Sequence, residues 1–223
     1  MNQFDVIEMA AKLGIFFVPF LFALCFHELA HGLVAKWKGD NTAQMMGRLT
    51  MNPFAHADPI GTWALPIMAI VLKSPFFFGW AKPVPVNPRN LRRPQQDMFW
   101  VAIAGPASNV LLALVGTVAL AIVYWYFQGQ TGGTAFVRML ETFLMINLFL
   151  AVFNLIPIHP LDGGKVIAPF LPVQWNIWLE QNQNTLSIVL LMFILFAGHV
   201  LAVPVFYMAE FLRQVAISIA MLL

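Results

Sequence analysis

Two histidines and a glutamate sit in FALCFHELAHGLVAKW, as His27, Glu28 and His31, in a stretch otherwise suited to lipid. On a helix, residues four apart share a face, so His27 and His31 aim both imidazoles at one point. Neutral imidazole is a common zinc ligand. Glu28 stands beside His27, near such an ion but poorly aimed to ligate it. In a His-Glu-x-x-His arrangement this glutamate takes the proton of a water activated by the metal. A hydrolytic zinc site keeps three protein ligands and one open position, so a third ligand has to come from elsewhere. The competing reading, a solvated helix face, is weak here, because ionisable groups inside an apolar run are costly and usually functional.

The candidate for the third ligand is Asp162, in NLIPIHPLDGGKV. It is the only acid between Glu141 and Glu180. Two glycines follow it and let the backbone turn closely around it. Pro157 and Pro160 break the helix and expose backbone groups. Taken alone, Asp162 also reads as a turn or cap residue.

The elements that must position these groups are membrane helices. Of 223 residues, 60% are hydrophobic and 10% charged, and the mean hydropathy is +0.77. Soluble domains carry about 25% charged residues, so the chain reads as a polytopic membrane protein. A net charge of +2 is too small to suggest nucleic acid as a partner. The lone cysteine, Cys25, excludes an intrachain disulfide and reads as a small buried hydrophobe. The N-terminal MNQFDVIEMAAKLG lacks a basic region and a small-residue cleavage site, so no removable signal peptide is expected.

Apolar runs cover residues 13–35, 60–80, 99–127, 136–156 and 186–207; the stretch 208–223 reads as an interfacial helix or as a continuation of the fifth run. Lys36, Lys38 and Arg48 follow the first run, and Lys82, Arg89, Arg92 and Arg93 precede the third. Lys and Arg mark the cytoplasmic side. The first run then ends inside, the third starts inside, and the fourth returns inside. Residues 60–80 would start and end on one side; Pro66, Lys73 and Pro75 interrupt them, as in a re-entrant segment that lines a site. The proline-rich FGWAKPVPVNPRNLRRP reads as a short extended strand and a basic loop. The expected fold is an all-α membrane protein: one domain, 1–223, a polytopic transmembrane helix bundle of about five hydrophobic segments. A small extended or β re-entrant element lies between the first and third. Asp162 then lies at a depth compatible with His27 and His31, with the metal below the surface but short of the middle: Lys36 is about 13 Å of helix from His27.

With HELAH, the AGPASN run at 104–109 and NLIPIHPLDGG in this order, the chain resembles the site-2 proteases, a family of intramembrane zinc metalloproteases. The stretches GRLTMNPFAHADPIGT and FGWAKPVPVNP are similar to the compact bacterial and archaeal branch, without PDZ or CBS domains. The resemblance covers essentially the whole chain. It implies one Zn2+ per chain, with His27, His31 and Asp162 as ligands and Glu28 as general base. Asn154 matches the asparagine that steadies the substrate carbonyl or oxyanion. Residues 60–86 match the segment that binds substrate as an added strand or gates its entry. Implied partners are the lipid bilayer of a prokaryotic cell membrane, with the site toward the cytoplasm, and a transmembrane protein whose helix unwinds before peptide-bond hydrolysis. A membrane metal carrier and a non-cleaving helix-binding pseudoprotease are the alternatives; the scarcity of ionisable residues in the third and fifth runs opposes the first, and the intact Glu28 the second.

The remaining polar residues read more plainly. His56 suits a loop hydrogen bond and Asp58, before Pro59, a helix N-cap. Asn109 suits packing or a hydrogen bond between helices. His159 suits a turn at the interface, with no family role. His199 suits a hydrogen bond facing the bundle.

Overall fold

The computed structural model describes residues 11–72, 79–127 and 133–223. The sequence readings at residues 1–10, at Lys73 and Pro75, and over the uncharged 128–132 lie outside them. The described chain is helical, and four helices are long and apolar enough to cross a membrane.

The first, α1 (Leu13–Trp37), carries the His-Glu-x-x-His residues. Its first turn, Leu13–Phe17, is wound as a π-helix just ahead of Pro19. Proline has no N–H for the carbonyl four residues back, which makes a regular turn there expensive. Two short helices, α2 (Thr42–Met45) and α3 (Pro53–His56), follow. The next, α4 (Pro59–Val71), again begins as a π-helix ahead of a proline, Pro66. Asp58 caps it, as expected, by accepting from the N–H groups of Ile60 and Gly61. At this length α4 falls short of the roughly 20 residues a crossing needs. Over the described residues 60–72 the segment is too short to cross.

Residues 79–87 follow without helix. The strand expected here forms no ladder, and no strand occurs among the described residues. Pro83 and Pro85 remove two N–H donors in three residues, which forbids regular pairing along that edge. The segment is tied down all the same. Trp80 donates its backbone N–H to Gly61 O (3.1 Å) and Lys82 to His56 O (2.8 Å). Arg48 Nη2 donates to Lys82 O (2.7 Å).

Helix α5 (Pro94–Phe127) is the longest apolar crossing and packs antiparallel against α1. Lys38, just past the end of α1, pairs with Asp97 in the first turn of α5 (3.1 Å), so these two ends lie together. Helix α6 (Thr134–Asn154) returns beside α5. The turn after it ends in α7 (Asp162–Ile167), followed by α8 (Val173–Gln181). The last helix, α9 (Gln183–Leu222), is kinked at Ala197 and runs from there to Leu222, so 208–222 continues the apolar helix before it. Its stretch Phe196–Leu222 is long and apolar enough to cross a membrane. The helix breaks at Ala197 (φ −129°), next to Gly198, whose missing side chain weakens helix locally. The core lies between α5, α6 and α9, around Leu120, Leu144, Leu148 and Val205.

Candidate metal centre

The site forms where α5 crosses α1. Moving one turn back along α1, from His31 to His27, the facing residue on α5 moves from Val101 to Asn109. Gly105 lies between. A Cβ there would sit 2.4 Å from His31 Nε2 and 2.6 Å from His27 Nε2. Only a glycine lets α5 approach the imidazole pair this closely.

Asp162 arrives from α6 by a tight return. Its neighbour Gly163 packs under the turn: a Cβ would lie 2.3 Å from Ile156 O and 2.4 Å from Leu155 O. This close approach is what the Asp-Gly-Gly sequence permits. Asp162 Oδ2 then lies 3.1 Å from His27 Nε2 and 3.2 Å from His31 Nε2. The two Nε2 atoms are 3.1 Å apart. One ligand atom from each residue thus converges on one point, and all three side chains are nearly buried. The sequence candidates His27, His31 and Asp162 are brought together.

The hydrogen bonds around the histidines decide where their lone pairs point. Ala23 O and Phe143 O can only accept. Asn109 Nδ2 donates to Ala23 O (3.3 Å), and Asn147 Nδ2 donates to Phe143 O (2.8 Å). Asn147 Oδ1 therefore faces Asn109 Nδ2 (2.9 Å), and Asn109 Oδ1 faces His27 Nδ1 (2.6 Å). His27 must donate from Nδ1, which leaves a lone pair on Nε2. His31 donates from Nδ1 to Val101 O (2.7 Å), with the same consequence. Two lone pairs and a carboxylate then face one another at about 3 Å, an arrangement that repels itself without a cation. A tetrahedral zinc with ligands at about 2.0–2.2 Å separates its donors by about 3.3–3.6 Å, close to these distances. The donor set and its outer partners fit zinc.

Glu28 points into the same cavity, and its Oε2 accepts from Val84 N–H (2.7 Å). The cavity holds about 1520 Å³ and is lined by Glu28, Asn154, the three convergent residues, most of the segment 79–86 (not Lys82 or Pro85) and apolar side chains of α1, α6 and α9. It exceeds the roughly 300–1,000 Å³ of small-molecule sites. Asn154 donates from Nδ2 to Leu150 O (2.9 Å) while facing the cavity.

Asn109 does more than the helix-to-helix bond expected of it: it holds a candidate ligand. Asn147 was missed. Its signal was present, an amide in the apolar run FLMINLFLAVF, where polar groups are expensive. His56 makes the expected loop bond, to Thr50 O (2.8 Å). Cys25 is buried, as expected. His159 lies in the turn, in contact range of Gly164. His199 does not face the bundle: it is on the exposed side of α9.

An all-α membrane protein with a buried His-His-Asp cluster and a carboxylate beside it defines the class of membrane-embedded zinc metallopeptidases. Comparison with known proteins agrees. The pattern of peptidase family M50 matches residues 116–198. "Putative zinc metalloprotease YwhC" of Bacillus subtilis is 40% identical over 159 residues, covering 70% of this chain and 68% of the relative. "Putative zinc metalloprotease Rip2" of Mycolicibacterium smegmatis is 30% identical over 172 residues, 75% of this chain and 62% of the relative. "Zinc metalloprotease MJ0392" of Methanocaldococcus jannaschii is 27% identical over 118 residues, 50% of this chain and 32% of the relative. No solved structure matches the chain. The chain belongs to peptidase family M50, the site-2 proteases, and zinc is its metal.

Proposed function

We propose that the protein hydrolyses a peptide bond in or near the transmembrane segment of another membrane protein. His27, His31 and Asp162 hold one zinc ion, Glu28 is the proton carrier, and Asn154 steadies the substrate carbonyl. The observation that carries this reading is the convergence of three ligand atoms beside Glu28 in a large cavity with apolar walls. Bound there, zinc supplies Lewis-acid chemistry: it polarises a carbonyl and makes water a nucleophile near neutral pH.

The chain's own residues do the rest. Glu28 takes a proton from the attacking water and returns it to the leaving amine. The second N–H of the Asn154 amide, beyond the one given to Leu150 O, steadies charge growing on the carbonyl oxygen. A helical substrate has its backbone bonds satisfied internally, so it unwinds before attack. The carbonyls of the segment 79–87 accept from the unwound stretch, a partial form of strand addition to which Pro83 and Pro85 bring no N–H. The apolar walls receive the substrate's side chains. The cluster faces the cytoplasmic side, in accord with the basic residues after α1 and before α5.

The test is Glu28→Gln, assayed with a single-span substrate in detergent or vesicles. It should keep its zinc and lose cleavage by roughly 10²–10⁴-fold, the usual worth of a positioned acid–base group. Cleavage at the native rate would end the reading.

A further inference from the structure

The backbone of the cavity-lining segment is bonded directly to the proposed proton carrier. Val84 N–H donates to Glu28 Oε2 at 2.7 Å, across 56 positions of sequence. Both residues are buried. Val84 also packs its side chain on α1 at Gly32, where a Cβ would lie 3.3 Å from Val84 Cγ1. The same segment is anchored through the Trp80 and Lys82 amides and through Arg48.

We propose that the Val84 amide is a positioning group for Glu28, so that the segment 79–87 and the carboxylate move as one unit. The proposal rests on reading Glu28 as the proton carrier. Its physical basis is simple. A carboxylate at the wall of a wide cavity has several rotamers open to it, and a charge-assisted hydrogen bond selects one. The donor is a main-chain group held on both sides, so it fixes the carboxylate more firmly than a side chain would. Pro83 and Pro85 carry no N–H, which leaves Val84 as the only amide donor between Lys82 and Val86. A substrate strand that docks on this segment therefore shifts or steadies the base through one bond. Binding on the segment and proton transfer at Glu28 become coupled through that bond.

The same prolines supply the experiment. A peptide spanning 82–85 retains one exchangeable backbone amide, that of Val84. Hydrogen exchange at this amide should speed by at least ~10-fold in Glu28→Ala, since the acceptor is gone and local opening is easier. Unchanged exchange in zinc-loaded Glu28→Ala would overturn the proposal. A kinetic comparison gives a second readout. Val84→Pro deletes the N–H while suiting the extended backbone that Pro85 already imposes. Val84→Ala keeps the N–H and loses the packing on Gly32. Val84→Pro should lower kcat about 100-fold with KM little changed, and further than Val84→Ala does. Equal losses in the two variants, or a loss confined to KM, would assign the effect to packing or substrate contact and overturn the proposal. Failure of the underlying reading looks different: Glu28→Gln would still cleave, whatever the exchange at Val84.

Discussion

Gly105 on α5 and His31 on α1 stand so close that a Cβ at 105 would lie 2.4 Å from His31 Nε2. Both partners are fixed, one by helix backbone and the other by its bond to Val101 O, so neither yields cheaply. Gly105→Ala is expected to push the imidazoles apart. Overpacking of this kind costs about 1–3 kcal/mol in stability. The larger effect should be on the metal, because the donors no longer converge. Zinc per chain, measured by elemental analysis, should fall far below one equivalent. Full occupancy in that variant would contradict the close crossing.

The chain Asn147–Asn109–His27 fixes which nitrogen of His27 carries its proton. Asn109→Ala removes the acceptor at His27 Nδ1 and should weaken zinc binding by roughly 10–100-fold, as for other outer partners of metal-bound histidines. Asn147→Ala acts at one remove and should cost less. Competition with a chelating dye measures both affinities. The reverse order, or no effect of either, would show that the amides only pack.

The return to Asp162 depends on Gly163, which faces two carbonyls at 2.3 and 2.4 Å from where a Cβ would lie. Gly163→Ala should displace the turn and lose zinc along with cleavage. Gly14, whose added Cβ would meet nothing, gives the control: Gly14→Ala should keep both. Loss of zinc in neither variant would mean that the turn tolerates the added methyl group.

Asp40 joins the end of α1 to the chain leading into α5. Its side chain is fully buried and accepts from Thr42 N and Oγ1, Asn87 N (2.7 Å) and Asn90 Nδ2 (2.8 Å). Burial would raise its pKa, but these donors prevail and hold it below the ordinary value of 3.8. A lowered folded pKa adds stability above the unfolded value, lost as pH falls through the folded one. Asp40→Asn should therefore lower Tm at neutral pH, by the equivalent of about 1–3 kcal/mol for the donors it leaves facing an amide N–H. The gap from the native protein should narrow as pH drops below about 4. A gap that stays constant down to the acid limit would remove Asp40's charge from the account.

Much of the site was legible before any coordinates. His27 and His31 meet because they are four apart on one helix, a local rule. Asp162 stands out as a lone acid followed by two glycines after an apolar run, and Asp58 before Pro59 reads as the cap it is. These signals are local: each depends on a few neighbouring residues and on the lipid that makes polar groups costly. The end of the fold was less legible. Residues 186–207 read as one uniformly apolar run, and composition does not reveal the kink at Ala197 that divides the helix.

By itself, the sequence determined that this is a polytopic membrane protein, which residues could ligate a metal, and where the backbone must bend. Only the tertiary structure decided that Gly105 faces the imidazoles, that Asn109 and Asn147 orient His27, and that the Val84 amide reaches Glu28. The physical reason lies in how helices pack. Which residues share a face follows from the helical repeat, but which faces meet follows from the crossing of α1, α5 and α6. That crossing is set by contacts between residues far apart in the chain, and no local pattern records it.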